Sequence, residues 1–189
     1  MLLRKINKDL LLWKEKEDHK SLIIYGARQV GKTYAVREFG KTYHSFIELN
    51  FIENPEYNNI FEGSLDVDTL KVNITTVISD ASFEEHNTLI LLDEIQECGK
   101  ALQSLKFWTD DGRYDVIATG SALGMNYKQD ISYPVGNVEY YDMCALDFEE
   151  FLWANHIGTD TIQLVKRCFD YEEKVPVAIH EKLVKLLKR

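Results

Sequence analysis

The sequence predicts an α/β fold, a mainly parallel sheet covered by helices, with a glycine-containing loop at the end of its first strand. Short apolar runs at Leu22–Tyr25, Thr88–Leu92 and Asp115–Thr119 alternate with helical patterns, the order expected of a sheet whose strands are joined by helices. Those runs are apolar at consecutive positions, as strands buried on both faces are. A glycine-containing turn, Gly26 to Thr33, stands between the first strand and a helix. At 189 residues the chain is long enough for one domain and the beginning of a second.

Leu3, Ile6, Leu10 and Trp13 recur at spacings of three and four and predict an amphipathic first helix. The run Leu22–Tyr25 stops at Gly26 and reads as a buried strand. A helix from Lys32 to Phe39 is expected to end at Gly40, a helix-stop residue. Phe46–Phe51 reads as a second strand, residues 54–85 as mostly helical, and Thr88–Leu92 as a third strand ending on Asp93 and Glu94. A helix over Ala101–Asp110, a fourth strand over Asp115–Thr119 and a fifth over Val138–Tyr141 complete the alternation. Residues 147–154, 160–171 and 177–188 then read as helices with no strand between them. The change of pattern divides the chain into a core over residues 1–146 and a helical segment over 147–189.

The formal net charge is −9, unevenly spread. Residues 1–40 hold 9 basic and 5 acidic groups, 41–162 hold 6 and 22, and 163–189 hold 7 and 4. A general basic coat for nucleic acid is excluded, and a polyanion could meet only a local site near one end. Cys98, Cys144 and Cys168 are scattered, which argues for reduced thiols in a cytoplasmic protein rather than a disulfide scaffold or zinc site. The longest apolar stretches fall far short of the roughly 20 residues that cross a bilayer, so no membrane partner is expected. The five histidines share no metal-ligand spacing. Trp108 and Trp153 read as packing residues, and Lys182, Lys185, Lys188 and Arg189 as a solvated helix face.

Gly26-Ala27-Arg28-Gln29-Val30-Gly31-Lys32-Thr33 fits the phosphate-loop pattern G-x-x-x-x-G-K-[ST] in full. Gly26 permits a sharp turn, and Gly31 lets backbone approach phosphate without a Cβ in the way. Successive N–H groups and the positive end of the next helix would hold the phosphates. Lys32 would reach the β- and γ-phosphates, and the Thr33 hydroxyl would bind Mg²⁺. The candidate nucleotide-binding set is Gly26, Ala27, Arg28, Gln29, Val30, Gly31, Lys32, Thr33 and Tyr34. The third strand delivers Asp93 and Glu94 to the sheet edge where ligands of open parallel sheets bind. Asp93 suits the Walker B role of a magnesium ligand, and Glu94 the polarisation of attacking water. Gln96 and Glu97 read as loop residues without assigned chemistry. If the fourth strand lies between those bearing Gly26 and Asp93, Thr119 or Ser121 could contact the lytic water or γ-phosphate; Ser121 is the favoured choice. Lys32, Glu94 and Ser121 are thus the candidate catalytic residues, and Thr33 and Asp93 the candidate metal ligands.

These residues resemble the prokaryotic AAA-type P-loop ATPases that join an N-terminal ATPase domain to a C-terminal domain of unknown function. The resemblance rests on the phosphate loop, on Leu91-Leu92-Asp93-Glu94-Ile95-Gln96, on Thr119-Gly120-Ser121-Ala122 and on Leu146-Asp147-Phe148-Glu149-Glu150-Phe151-Leu152. It implies a P-loop NTPase fold with sheet order 5-1-4-3-2, ATP with Mg²⁺, and a helical lid after the core. Many relatives have Gly-Arg where this chain has Gly136-Asn137, so no arginine finger carries over. They often have Pro where this chain has Ala145. The family also continues beyond this length, so residues 147–189 are expected to be the start of a truncated lid, its last helix showing an unpartnered apolar face of His180, Val184 and Leu187.

The leading functional expectation is Mg²⁺-dependent ATP hydrolysis by an AAA-type domain of unknown cellular role. The alternative is a nucleotide-controlled switch or binding module with little hydrolysis; a kinase or nucleic-acid motor is a third reading. GTP is disfavoured because no N-K-x-D motif occurs. A macromolecular partner and a homo-oligomer remain open, and nucleic acid would be met only through a missing C-terminal region.

Overall fold

The computed structural model describes residues 3–121 and 136–188. The chain divides into two compact units, one of Ile6–Ala145 and one that joins the residues up to Lys5 with those from Leu146 onward. Elements in chain order are α1 (Lys5–Glu15), β1 (Ser21–Gly26), α2 (Lys32–Gly40), β2 (Ser45–Asn50), a 3₁₀ turn (Pro55–Phe61), α3 (Val67–Val77), β3 (Thr88–Asp93), a second 3₁₀ turn (Ile95–Glu97), α4 (Gly99–Asp111), β4 (Asp115–Ser121), β5 (Val138–Asp142), α5 (Phe148–Ala154), α6 (Thr159–Asp170) and α7 (Val177–Leu187).

The five strands form one sheet in the order β2-β3-β4-β1-β5, every neighbouring pair parallel, as expected. Consecutive apolar residues in the strands serve opposite faces. Leu22, Ile24, Leu89, Leu91 and Ile117 pack with Ile6, Leu10 and Trp13 of α1 and Val36 and Phe39 of α2. Ile23, Ile90, Leu92, Val116 and Ala118 pack on the other face with Leu70 and Ile74 of α3 and Leu105 and Trp108 of α4. The hydrophobic effect therefore selects strand for these runs, since only a period of two divides a continuous apolar stretch between two helical layers.

Two expectations change in the sheet and its covering helices. Leu3 precedes α1 and is exposed, so Ile6, Leu10 and Trp13 form that helix's apolar stripe. The helix α2 ends at Gly40 as expected, and a Cβ there would sit 2.4 Å from the Phe46 ring, so the glycine also makes room for β2's side chain. Residues 54–85 break into a 3₁₀ turn and one helix, the helix starting where the Asp66 carboxylate accepts the Thr69 N–H at 2.9 Å.

In the second unit, α5 opens with a capping box: Asp147 accepts the Glu150 N–H at 2.9 Å, and Glu150 accepts the Asp147 N–H at 3.1 Å. Glu150 also accepts the Lys5 N–H at 2.7 Å and pairs with Arg4 at 3.1 Å, both side chains buried. The apolar face of α7 lies one residue away from the expected one. Leu183, with Ile179 and Leu186, packs on Leu152, Ile157 and Ile162, whereas His180 and Leu187 are exposed.

At the N-terminal end of the sheet Asp115 ties three segments together. His19 Nε2 lies 2.8 Å from Asp115 Oδ1, His19 Nδ1 lies 2.8 Å from the Lys16 carbonyl, and the Tyr43 hydroxyl donates to Asp115 Oδ2 at 2.6 Å. The hydrogen bond to Asp115 raises the His19 pKa above its ordinary value, reinforced by the Lys16 carbonyl and the charge of Glu139, while burial opposes it. Burial and Asp115 push the Tyr43 phenol upward, so it stays a neutral donor. Because His19 binds its proton more tightly folded than unfolded, its stabilisation is complete below the unfolded value of about pH 6.5 and is lost as pH rises through the folded value. Urea titrations across neutrality should show stability falling with rising pH by a component that is missing in His19→Ala. Parallel profiles for the two proteins would rule this out.

Candidate functional site

The C-terminal edge of β1, β4 and β3 gathers the residues singled out in the sequence. Since β4 lies between β1 and β3, Gly26 pairs with Ser121 and Leu92 with Ala118, which brings Asp93 beside Thr119.

Gly26 has φ +156°, and a Cβ on it would lie 2.2 Å from the Met143 carbonyl oxygen. Met143 is held there by its N–H, which donates to Tyr25 O at 2.8 Å. The first loop glycine is thus required by packing against the chain after β5 as well as by the turn. The loop projects Ala27, Arg28 and Gln29 to solvent, with Gln29 (φ 64°) and Gly31 (φ 96°) in left-handed conformation. Gly31 caps α2 without a side-chain hydrogen bond, so the first N–H groups of α2 and its positive end open onto the loop.

Lys32 is buried, and its ammonium donates to Ala27 O at 2.8 Å and Gly26 O at 3.1 Å. Burial lowers its pKa; the charges of Glu94 and Asp93 act against this, and Arg28 acts with it. Tyr34, in the first turn of α2, is 44% exposed.

Asp93 is 2% exposed and sits at the centre of a polar cluster. Its Oδ1 accepts the Thr33 hydroxyl at 2.9 Å and also the Thr119 hydroxyl, and its Oδ2 accepts Asn50 Nδ2 at 2.9 Å. Asn50 ends β2 opposite Asp93. Its Oδ1 accepts the N–H groups of Ile52 at 3.0 Å and Glu53 at 2.8 Å, which fixes the amide with its NH₂ toward Asp93. Glu94 turns into the left-handed region at φ 56°, ψ 47°, and begins the second 3₁₀ turn. Its Oε2 accepts Gln96 Nε2 at 2.6 Å.

A family model described as an AAA domain matches residues 18–152. The chain belongs to this AAA family. Its fold is similar to that of the Walker-type ATPase paby2304 of Pyrococcus abyssi, at 15% identity and TM-score 0.51, over 97% of this chain and 63% of that one. The structure of Drosophila ORC bound to DNA matches at 15% identity and TM-score 0.48, over 82% of this chain and 45% of that one. The Aeropyrum pernix ORC1 protein in complex with DNA matches at 14% identity and TM-score 0.46, over 85% and 52%. The chain thus spans between 45% and 63% of the length of these structures. No curated protein matches it in sequence. Among the described residues no helix is long and apolar enough to cross a membrane.

In this AAA domain Lys32, Thr33, Asp93, Glu94 and Ser121 share one sheet edge, and Thr33 and Asp93 are in direct contact. Of the two β4 hydroxyls, that of Thr119 donates to Asp93, and Ser121 is buried beside Gly26. Ala122 lies outside the described residues. Sequence reasoning missed Asn50, and Gln96 was left without a role. The polar residue ending an otherwise apolar β2 was the available signal for the first, and the adjacency of Gln96 to Asp93 and Glu94 for the second.

Two stability predictions follow from these contacts. Asn50→Ala removes the donor to a buried carboxylate oxygen and should cost about 1–3 kcal/mol in chemical denaturation. Gly26→Ala forces Met143 away and should cost about as much, 1–3 kcal/mol, in the nucleotide-free protein. Wild-type stability in either variant would contradict the geometry.

Proposed function

We propose that this domain binds magnesium–ATP with its triphosphate on the Gly26–Thr33 loop and hydrolyses the γ-phosphate. The observation that carries the reading is the 2.9 Å hydrogen bond from Thr33 to Asp93, which joins the end of the phosphate loop to the acidic end of β3. Family membership supports nucleotide as the ligand.

The Thr33 hydroxyl and the Asp93 carboxylate are hard oxygen donors, the chemistry that suits Mg²⁺, and these two residues would hold the ion. When bound, Mg²⁺ supplies neutralisation of charge on the phosphate oxygens. The chain's own groups do the rest. The N–H groups of the loop and of the start of α2 donate to phosphate oxygens. The Lys32 ammonium, now on the carbonyls of Gly26 and Ala27, exchanges neutral acceptors for anionic ones, a stronger interaction in a buried site. Thr119 and Asn50 keep the Asp93 carboxylate from rotating. Glu94 accepts a proton from water as that water's oxygen bonds to the γ-phosphorus; the bond from this phosphorus to the β,γ-bridging oxygen breaks, and ADP and phosphate leave.

Calorimetry and phosphate-release assays test this. Lys32→Ala should weaken ATP binding about 10-fold or more, as expected for loss of a charge-assisted hydrogen bond. Glu94→Gln should bind ATP normally yet hydrolyse it roughly 10²–10⁴-fold more slowly. Unchanged ATP heats in Lys32→Ala, or unchanged release in Glu94→Gln, would overturn the reading.

A further inference from the structure

We propose that Gln96 is a positioning residue for Glu94: its side-chain amide grips one carboxylate oxygen and aims the other at the attacking water. This rests on the hydrolysis reading above and adds to it a residue that neither the phosphate loop nor the acidic strand end contains.

Glu94 is a long side chain at the point where β3 ends and the backbone reverses through a left-handed conformation. It is only half-buried, and a glutamate so placed samples several rotamers. A proton acceptor gains rate only when held in line with the water it serves. Gln96 supplies the hold. Its Nε2 donates to Glu94 Oε2 at 2.6 Å, and its side chain is 3% exposed.

The support beneath Gln96 is rigid. The turn from Ile95 to Glu97 is closed by the Glu97 N–H to Glu94 O at 3.0 Å and the Cys98 N–H to Ile95 O at 3.0 Å. Ile95 and Cys98, on either side, are buried in the core beneath the sheet. The amide is therefore fixed by the same packing that ends β3 and starts α4. A carboxamide also suits the task chemically, because it donates a hydrogen bond without a charge of its own. A lysine or arginine there would pair with the carboxylate and weaken it as a base.

The test uses Gln96→Met, which keeps the side-chain length and removes the donor. Gln96→Met should lower kcat about 10-fold, the usual effect of losing a residue that orients a reacting group, with the KM for ATP within two-fold of wild type and an unaltered melting temperature. A second readout needs no turnover. In the nucleotide-free protein the Gln96 side-chain amide signal, identified by its loss in Gln96→Met, should shift in Glu94→Ala.

A wild-type kcat in Gln96→Met, or an amide signal unmoved in Glu94→Ala, overturns the proposal and leaves the hydrolysis reading standing. Wild-type protein that releases no phosphate, or Glu94→Gln that releases it at the wild-type rate, overturns both.

Discussion

Burying a carboxylate is costly unless its oxygens are satisfied, and the site is organised around one such group. Asp93 receives donors from three separate segments: Thr33 at the start of α2, Thr119 near the end of β4 and Asn50 at the end of β2. None of these is near it in sequence. The parallel sheet makes the cluster possible, because every strand delivers its C-terminal residue to the same edge, and the strand order places β4 between β1 and β3. Fold and site therefore share one constraint, the register that sets Asn50 opposite Asp93 and Gly26 opposite Ser121.

The adjacent carboxylate is treated differently. Glu94 leaves the strand through a left-handed residue and reaches a partly open position. Asn50 and Gln96 both donate an amide hydrogen bond, the first to the buried acid and the second to the half-buried one. Neutral donors hold both groups without cancelling the negative charge that the proposed chemistry needs.

Much of this was legible in the sequence because the signals were local. Strands buried on both faces announce themselves as continuous apolar runs, and the phosphate loop carries its own spacing. Asn50 was not legible, since its meaning depends on β2 pairing with β3 in a particular register. The weight between Thr119 and Ser121 depended likewise on which hydroxyl sits beside β3. The face of α7 differs from the expected one by one residue because Ile179, Leu183, Val184, Leu186 and Leu187 form an apolar arc wide enough for two adjacent stripes. Periodicity separates that arc from the polar side of Glu181, Lys182 and Lys185 but does not choose between neighbouring lines within it. Gly40 ends its helix as read, but its second duty, room for the Phe46 ring, depends on a neighbour across a turn whose approach no spacing rule reveals.

The ion pairs and the hydrogen bond that join Arg4 and Lys5 to Asp147 and Glu150 set an order of events during synthesis. The sheet can close once β5 has left the ribosome, because Ile6–Ala145 supplies all five strands. Arg4 and Lys5 must wait for more than a hundred later residues before their partners emerge. A nascent chain would thus acquire the sheet while Arg4 and Lys5 were still unengaged, and these two would gain protection from proteases only after the sheet had closed.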